Sequence, residues 1–340
     1  MLMNQKLGLS ITNIKDTRLS WIRLASFLGL IVGLMSACGD SSLPGSSPPA
    51  DHPASTSCRL VQHDFGETEI CGDPENIAVI GLGALDSALA LGVKPVASTN
   101  VRVYIPYIDT KFIDEMVDIG DMYQPNLETI ARVQPNLILV CHNGNDEQLY
   151  RNLSQIAPTV YQFYCGDVWK ETFQVFAAAL DKSEEGQALL DQYYNRIEEF
   201  QSRMGDRLEQ TTVSVVVFLP EHFRIYLRDS FTGSVLEDVG LPPPPAQQGR
   251  EGYWEAISLE QISIADADVI FTIEPRPEET NIEQIISHPL WSRLEAVQQD
   301  NLFEVSVTWT AGQSIQGANY ILNDLFRYLL DENEPDLDSN

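Results

Sequence analysis

Between residues 76 and 330 short apolar runs alternate with amphipathic stretches in two series, and one long amphipathic stretch separates them. A strand covered on both faces reads as a continuous apolar run. A helix lying on it reads as a stripe repeating every three or four residues. Two such series restrict the chain to open, mainly parallel sheets flanked by helices. In the first, residues 77–83 read as a strand entering a glycine turn, 84–92 as a helix stopped by Gly92, and 95–99 as a second strand. A helix over 125–133, a strand over 136–141, a helix over 148–156 and a strand over 159–165 follow. The second series has strands over 214–220, 223–228, 267–273 and 302–307, a helix near 234–239 ended by Gly240, and a last helix over 315–330.

In the separating stretch Leu190, Tyr193 or Tyr194, Ile197, Phe200 or Gln201, Met204 and Leu208 form one stripe. That is about five turns of amphipathic helix, with Glu198, Glu199 and Arg203 on the far side. The expected fold is α/β: two lobes, each a mainly parallel sheet flanked by helices, with the long helix between them either a rigid connector or packed on one sheet. The expected divisions are 58–180 for the first lobe, 181–210 for the helix, 211–330 for the second lobe and 331–340 for an acidic tail.

The two series echo each other. Leu127-Glu128-x-Ile130 precedes Asn136-Leu137-Ile138, and Leu259-Glu260-x-Ile262 precedes Asp268-Val269-Ile270. Asn126 and Ser258 stand where helix N-caps belong. Each glutamate then falls in a first helical turn, where the helix dipole favours it. One such glutamate is ordinary helix electrostatics; two at equivalent places point to a paired surface feature.

The amino-terminal 37 residues read as an export signal. Arg18 and Arg23 precede an uncharged run over 24–37, shorter than the roughly 20 residues that a bilayer span needs. The run ends Leu34-Met35-Ser36-Ala37-Cys38, which resembles a bacterial lipobox. Diacylglyceryl transfer to the Cys38 thiol, cleavage before it and acylation of the new amine are the implied chemistry. Residues 38–57, rich in Ser, Pro and Gly after the cysteine, read as a lipidated flexible tether.

Four further cysteines suit disulfides in an exported protein. Cys58 and Cys71 flank two short strands around a turn at 63–66, and pairing about that turn sets them opposite. Cys141 and Cys165 each end an apolar strand, and parallel neighbours would place both thiols at one sheet edge. Neither pair has metal-ligand spacing. The formal charge of −28 becomes −31 when the signal, with four basic and one acidic side chains, is removed. So acidic a surface repels nucleic-acid backbones. His52, His63, His142, His222 and His288 show no ligand spacing, so no metal site is expected. Gly81-Leu82-Gly83 runs on to Asp86 where a dinucleotide fingerprint needs glycine. The segment 312–317 is one residue too long for a nucleophile elbow. No catalytic residue and no intrinsic cofactor are expected.

With these pieces assembled, residues 58–330 resemble the periplasmic substrate-binding proteins of iron-siderophore, haem and cobalamin ABC importers. The matching stretches are 86–95, Ile119-Gly120 with 125–128, 134–138, 258–260, Pro289-Leu290-Trp291, 294–297 and 302–305. The resemblance implies the connector reading, two lobes joined by one long interlobe helix, and ligand capture in a cleft between the lobes, with small opening because the connecting helix resists bending. It also implies that Glu128 and Glu260, at the lobe tips, dock onto permease arginines. The expected ligand is a ferric siderophore complex, and the expected partner is an ABC importer permease. The protein is expected to be monomeric and held to the membrane by its lipid alone.

Ligands of open α/β sheets sit outside the carboxyl ends of the strands. The candidate loops are 81–84, 100–107, 142–145 and 166–169 in the first lobe, and 224–229, 250–254, 274–276 and 309–312 in the second. They hold Arg102, Tyr104, Tyr107, Trp169, Arg224, Tyr226, Arg228, Trp254, Arg276 and Trp309. Arginine suits the anionic, oxygen-rich face of a ferric chelate, and aromatic rings cover its organic part. Trp254 and Trp309 sit where hydroxamate-binding relatives resemble this chain in carrying tryptophans. Met122 and Tyr123 stand where some of those relatives have an arginine, which counts against a hydroxamate. Haem or cobalamin is the alternative ligand, with Tyr104 or His142 as a haem axial group. A sensor or an enzyme on the same fold is the remote alternative.

Overall fold

The computed structural model describes residues 57–99, 106–108, 110–163, 166–280 and 282–330. It opens with a hairpin, β1 (Cys58–His63) and β2 (Gly66–Cys71), in antiparallel register with Cys58 opposite Cys71. The two cysteines form a disulfide, as the pairing about the turn predicts. Arg59 ties the hairpin down, donating to the carbonyls of Gly72, Ala178 and Ala179 at 2.9, 3.0 and 2.7 Å.

The first lobe then runs β3 (Ile77–Ile80), α1 (Leu82–Ala90), β4 (Ala97–Ser98), α2 (Thr110–Glu115), β5 (Val117–Asp118), α3 (Leu127–Val133), β6 (Leu137–His142), α4 (Glu147–Ser154), β7 (Thr159–Phe163) and α5 (Trp169–Ala179). Its sheet has the order β5-β4-β3-β6-β7, all parallel. β3 and β6 are buried along their whole length, which is why they read as unbroken apolar runs.

The long helix is α6 (Ser183–Met204), whose 22 residues span about 33 Å. Leu190, Tyr193, Ile197, Phe200 and Met204 form its buried stripe. The structure thus chooses Tyr193 over Tyr194 and Phe200 over Gln201. The helix stops short of Leu208 at Gly205, whose φ of 55° is outside the helical region. α5 packs against α6 where Gly186 meets Ala177; a Cβ on Gly186 would come within 2.7 Å of the alanine methyl.

The second lobe contains β8 (Val213–Phe218), β9 (Phe223–Tyr226), α7 (Phe231–Val239), β10 (Trp254–Ile257), a 3-10 turn (Leu259–Ala265), β11 (Val269–Ile273) and α8 (Ile282–Ile286). α9 (Glu295–Gln298), β12 (Leu302–Glu304), α10 (Thr308–Ala311) and α11 (Ile315–Leu329) complete it. The sheet order is β10-β9-β8-β11-β12. β8, β11 and β12 are parallel, whereas β9 runs antiparallel to both β8 and β10. This sheet is therefore mixed. Only residues 219–222 separate β8 from β9, far fewer than the dozen or so that a parallel crossover needs.

The core is continuous between the lobes. Val79, Leu139 and Phe173 from one side belong to the same cluster as Val215, Phe271 and Leu325 from the other, with α6 residues between. Two smaller clusters fill the outer faces of the two sheets.

Candidate functional site

On β9, Phe223 and Ile225 point into the outer core of the second lobe, so Arg224 and Tyr226 share the opposite face. β10 lies beside them, with Trp254 paired to Tyr226 and Ala256 to Arg224. The Arg224 guanidinium stacks over the exposed Trp254 ring, 4.1 Å from its centroid. Its Nε is buried without a hydrogen-bond partner. Tyr226 is half-buried, which pushes its phenol up against the opposing pull of Arg224 and a bond with Thr310. These three candidates sit on strands, on the face of the sheet. The strand-end rule misplaced them because β9 and β10 are an antiparallel extension of the parallel part.

The other candidate arginines are already engaged. Arg228 forms a bidentate pair with Glu237, and Arg276 lies 2.9 Å from Glu279. Arg250, in the same shortlisted loops, pairs with Glu255. Among these, Arg224 alone lacks a carboxylate partner.

Two of the three tryptophans fall elsewhere. Trp169 begins α5 and is fully buried between Tyr193 and Phe231, donating its Nε1 to Ser234 Oγ at 3.2 Å. Trp309 is fully buried against Phe271 and donates to Asp324 Oδ2 at 2.7 Å. Both are packing residues here, with their polar atoms satisfied inside the protein. The Tyr107 hydroxyl is also committed, donating to Asp86 Oδ2 at 3.0 Å. Arg102, Tyr104, Cys165 and Cys38 lie outside the described residues. Cys141 is disulfide-bonded, and its expected partner is that Cys165.

His142 ends β6 and is buried beside Tyr123, whose ring stands edge-on at 5.1 Å. The His142 Nε2 is buried without a hydrogen-bond partner. Among the described residues the one grouping with metal-ligand proximity is Cys58, Glu69 and Cys71, and its sulfurs are tied in the disulfide.

The two glutamates Glu128 and Glu260 differ in setting. Asn126 caps α3 by accepting from Thr129 N at 2.9 Å, and Glu128 in the first turn faces Arg132 at 3.2 Å while staying largely exposed. Ser258 caps the second element in a capping box with Gln261, and that element is a 3-10 turn instead of the expected α-helix. Ser258 Oγ donates to Glu260 at 2.7 Å, which lowers the glutamate pKa.

A cavity of about 710 Å³ opens between α7 and residues 241–251, lined by Tyr226, Arg228, Leu236, Pro242, Pro243 and Arg250 among others. Tyr226 borders both this cavity and the Arg224–Trp254 edge. Sequence reasoning also missed the seam between the lobes. There Asp86 accepts from Tyr107 and from the first amides of α11, and Lys170 binds both oxygens of Asp238 at 2.6 and 2.7 Å. A lone acid inside the apolar run 84–91 was the available signal for Asp86.

The described residues contain no helix long and apolar enough to cross a membrane. A family model described as periplasmic binding protein matches residues 77–306. The probable siderophore-binding lipoprotein YfiY of Bacillus subtilis is 32% identical, over 88% of this chain and 95% of its own length. The Fe(3+)-citrate-binding protein YfmC of the same organism is 27% identical, over 90% of this chain and 96% of its own. Staphylococcus aureus SirA, solved in complex with staphyloferrin B, superposes with a TM-score of 0.71 at 27% identity. The match covers 80% of this chain and 98% of SirA.

Proposed function

The chain belongs to the periplasmic binding protein family, and from that premise we propose that it is the substrate-binding lipoprotein of an ABC importer. Exported and anchored through Cys38, it captures a ferric siderophore complex between its lobes and delivers it to a membrane permease. It does this as a monomer and without catalysis.

Arg224 carries the reading. The chain has 49 acidic and 21 basic residues, so an arginine without a carboxylate partner is poised for an anion from outside. Stacking on Trp254 orients the guanidinium in advance, which lowers the ordering cost of binding. A ferric chelate offers anionic oxygens to the guanidinium and an organic rim to Trp254 and Tyr226. What the relatives' names say they bind, a siderophore, ferric citrate and staphyloferrin B, supports the same class of ligand.

Glu128 and Glu260 are proposed as the permease contacts. Each exposed pair contributes only about 0–1 kcal/mol, but two of them at separate lobe tips fix an orientation. Titration of the full-length chain with ferric citrate and ferric staphyloferrin B tests the ligand reading by tryptophan fluorescence. Quenching is expected, because Trp254 lies at the site; no response to either chelate sinks it. The double variant Glu128→Ala, Glu260→Ala is expected to abolish uptake in cells while leaving affinity unchanged. Uptake at the wild-type rate would remove the docking role.

A further inference from the structure

Asp86 lies in α1, 1% exposed, in a helix whose other buried side chains are apolar or serine. It receives Tyr107 Oη at 3.0 Å, Gly317 N at 3.1 Å and Gln316 N at 3.3 Å. Gln316 Nε2 donates to its carbonyl at 3.4 Å, and next to it Ser87 and Ser314 share a hydrogen bond of 2.8 Å. The amides of Gln316 and Gly317 belong to the first turn of α11, where no intrahelical acceptor exists and negative charge is favoured. Glycine makes the room: a Cβ on Gly312 would stand 2.9 Å from Tyr107 Oη and from Gly317 Cα. One carboxylate thus joins a helix of the first lobe, the last helix of the second, and Tyr107 at the end of the candidate cleft loop 100–107.

Resting on the family reading above, we propose that Asp86 is a positioning residue for ligand capture, holding Tyr107 and α1 of the first lobe in register with the second lobe through the α11 amino terminus. Asp86 touches no ligand itself. Its ionised form has the oxygen lone pairs to order three donors, whereas the neutral acid gives up part of that capacity to its own proton.

Burial pushes Asp86 up to about 6, opposed by the hydrogen bonds from Gly317, Tyr107, Gln316 and Ser314. The titratable groups facing it are few. The Tyr107 phenol is itself pushed well up by burial and by Asp86. β3 carries none; on β6, Cys141 is disulfide-bonded and His142 points to the other sheet face. On α5, Lys170 is taken by Asp238 and Glu171 is exposed. The α11 turn that faces Asp86 is uncharged, and Asp324 further along is bonded to Trp309. The latch therefore loosens on acidification through about pH 6, and ligand affinity falls with it.

The test compares the full-length wild type, Asp86→Asn and Tyr107→Phe. Affinity for ferric citrate and ferric staphyloferrin B is measured from pH 5 to 8, and amide exchange at Gln316 and Gly317 is followed without ligand. Losing a charge-assisted hydrogen bond corresponds to roughly a tenfold change. Asp86→Asn is expected to weaken binding about tenfold at pH 7.5 and to flatten the pH profile. The chelate's own protonation is common to both chains and cancels. Both variants are expected to exchange the two amides faster while remaining folded by near-ultraviolet circular dichroism. Wild-type affinity and pH profile in Asp86→Asn overturn the positioning role, and unchanged exchange overturns the latch. If the wild type binds neither chelate, the functional reading and the ligand half of this proposal fail together, and the exchange result alone decides the latch. If Asp86→Asn fails to fold, Tyr107→Phe, which removes only a hydroxyl, decides: wild-type exchange and affinity in it overturn the proposal.

Discussion

Trp254 and Trp309 come from the same lobe and the same kind of sequence signal, yet the fold uses them oppositely. Trp254 starts an edge strand, is 44% exposed and lies under a guanidinium with no acidic partner. Trp309 is sealed in the shared core, its ring on Phe271 and its Nε1 held by Asp324. The same contrast runs through the molecule. Groups at the seam, Trp169, Trp309, Tyr107 and Asp86, are spent on partners inside the protein. Arg224, at the β9–β10 edge, keeps unsatisfied capacity. A binding site in this fold is recognised by what its neighbours leave unpaired, more than by residue type.

The strongest way to break that contrast is truncation at the seam. Trp309→Ala is expected to cost about 3–5 kcal/mol of stability, as large buried aromatics do, and it also removes the donor that Asp324 uses. Trp254→Ala, at an exposed edge, is expected to stay within about 0.5 kcal/mol of wild type. Urea unfolding of both variants measures the difference. Equal losses would erase the distinction between seam and edge.

Asp86 sharpens the same contrast through pH. Its carboxyl titrates at about 6 in the folded chain against 3.8 ordinarily. Between those values the native state holds a proton that the unfolded chain has released, so stability falls as pH rises through the window and levels off above it. The effect attributable to Asp86 is on the order of 3 kcal/mol. Subtracting the Asp86→Asn profile from the wild-type profile between pH 3.5 and 7.5 isolates it. The wild type should lose stability relative to the variant as pH rises; a flat difference means that burial does not perturb the group. Burying the ionised carboxylate is costly even though it orders the latch, so stability and order move in opposite directions here.

How much of this was legible in the chain follows from range. The strands β3, β6, β8 and β11 were readable because complete burial makes continuous apolar runs. The α6 stripe and the caps at Asn126 and Ser258 were readable because helix periodicity and capping are local. The Cys58–Cys71 register followed from counting about one turn. The antiparallel β9 could have been read from the four-residue gap after β8. β10 could not, because Trp254 and Ala256 are exposed and leave no alternating apolar pattern. α5 and the burial of Trp169 depend on Tyr193, Phe231 and Ser234, which are distant in sequence. Asp86 gave a local hint, but its α11 partners lie about 230 positions away, and nothing local names them. The unpaired state of Arg224 was invisible for the same reason: it is set by where every nearby carboxylate ends up.

That last point yields the smallest and sharpest comparison, between two arginines four residues apart. Arg224→Ala is expected to weaken ferric chelate binding by about 1.5–3 kcal/mol, roughly ten- to a hundredfold, since it removes hydrogen bonds to a charged group at a partly desolvated site. Arg228 borders the cavity and is more exposed, so proximity alone would give it a similar role. Its guanidinium is already held bidentate by Glu237, however, and a ligand must compete with that carboxylate. Arg228→Ala is therefore expected to change affinity less than about threefold, in the range of exposed ion pairs. Removing the competitor should reverse the ranking in part: Glu237→Gln frees Arg228 and is expected to strengthen chelate binding slightly. Titrations of the three variants with the same ferric chelate decide it. Equal losses for Arg224→Ala and Arg228→Ala would mean that pairing with a carboxylate does not silence an arginine here, and the criterion that singles out Arg224 would fall.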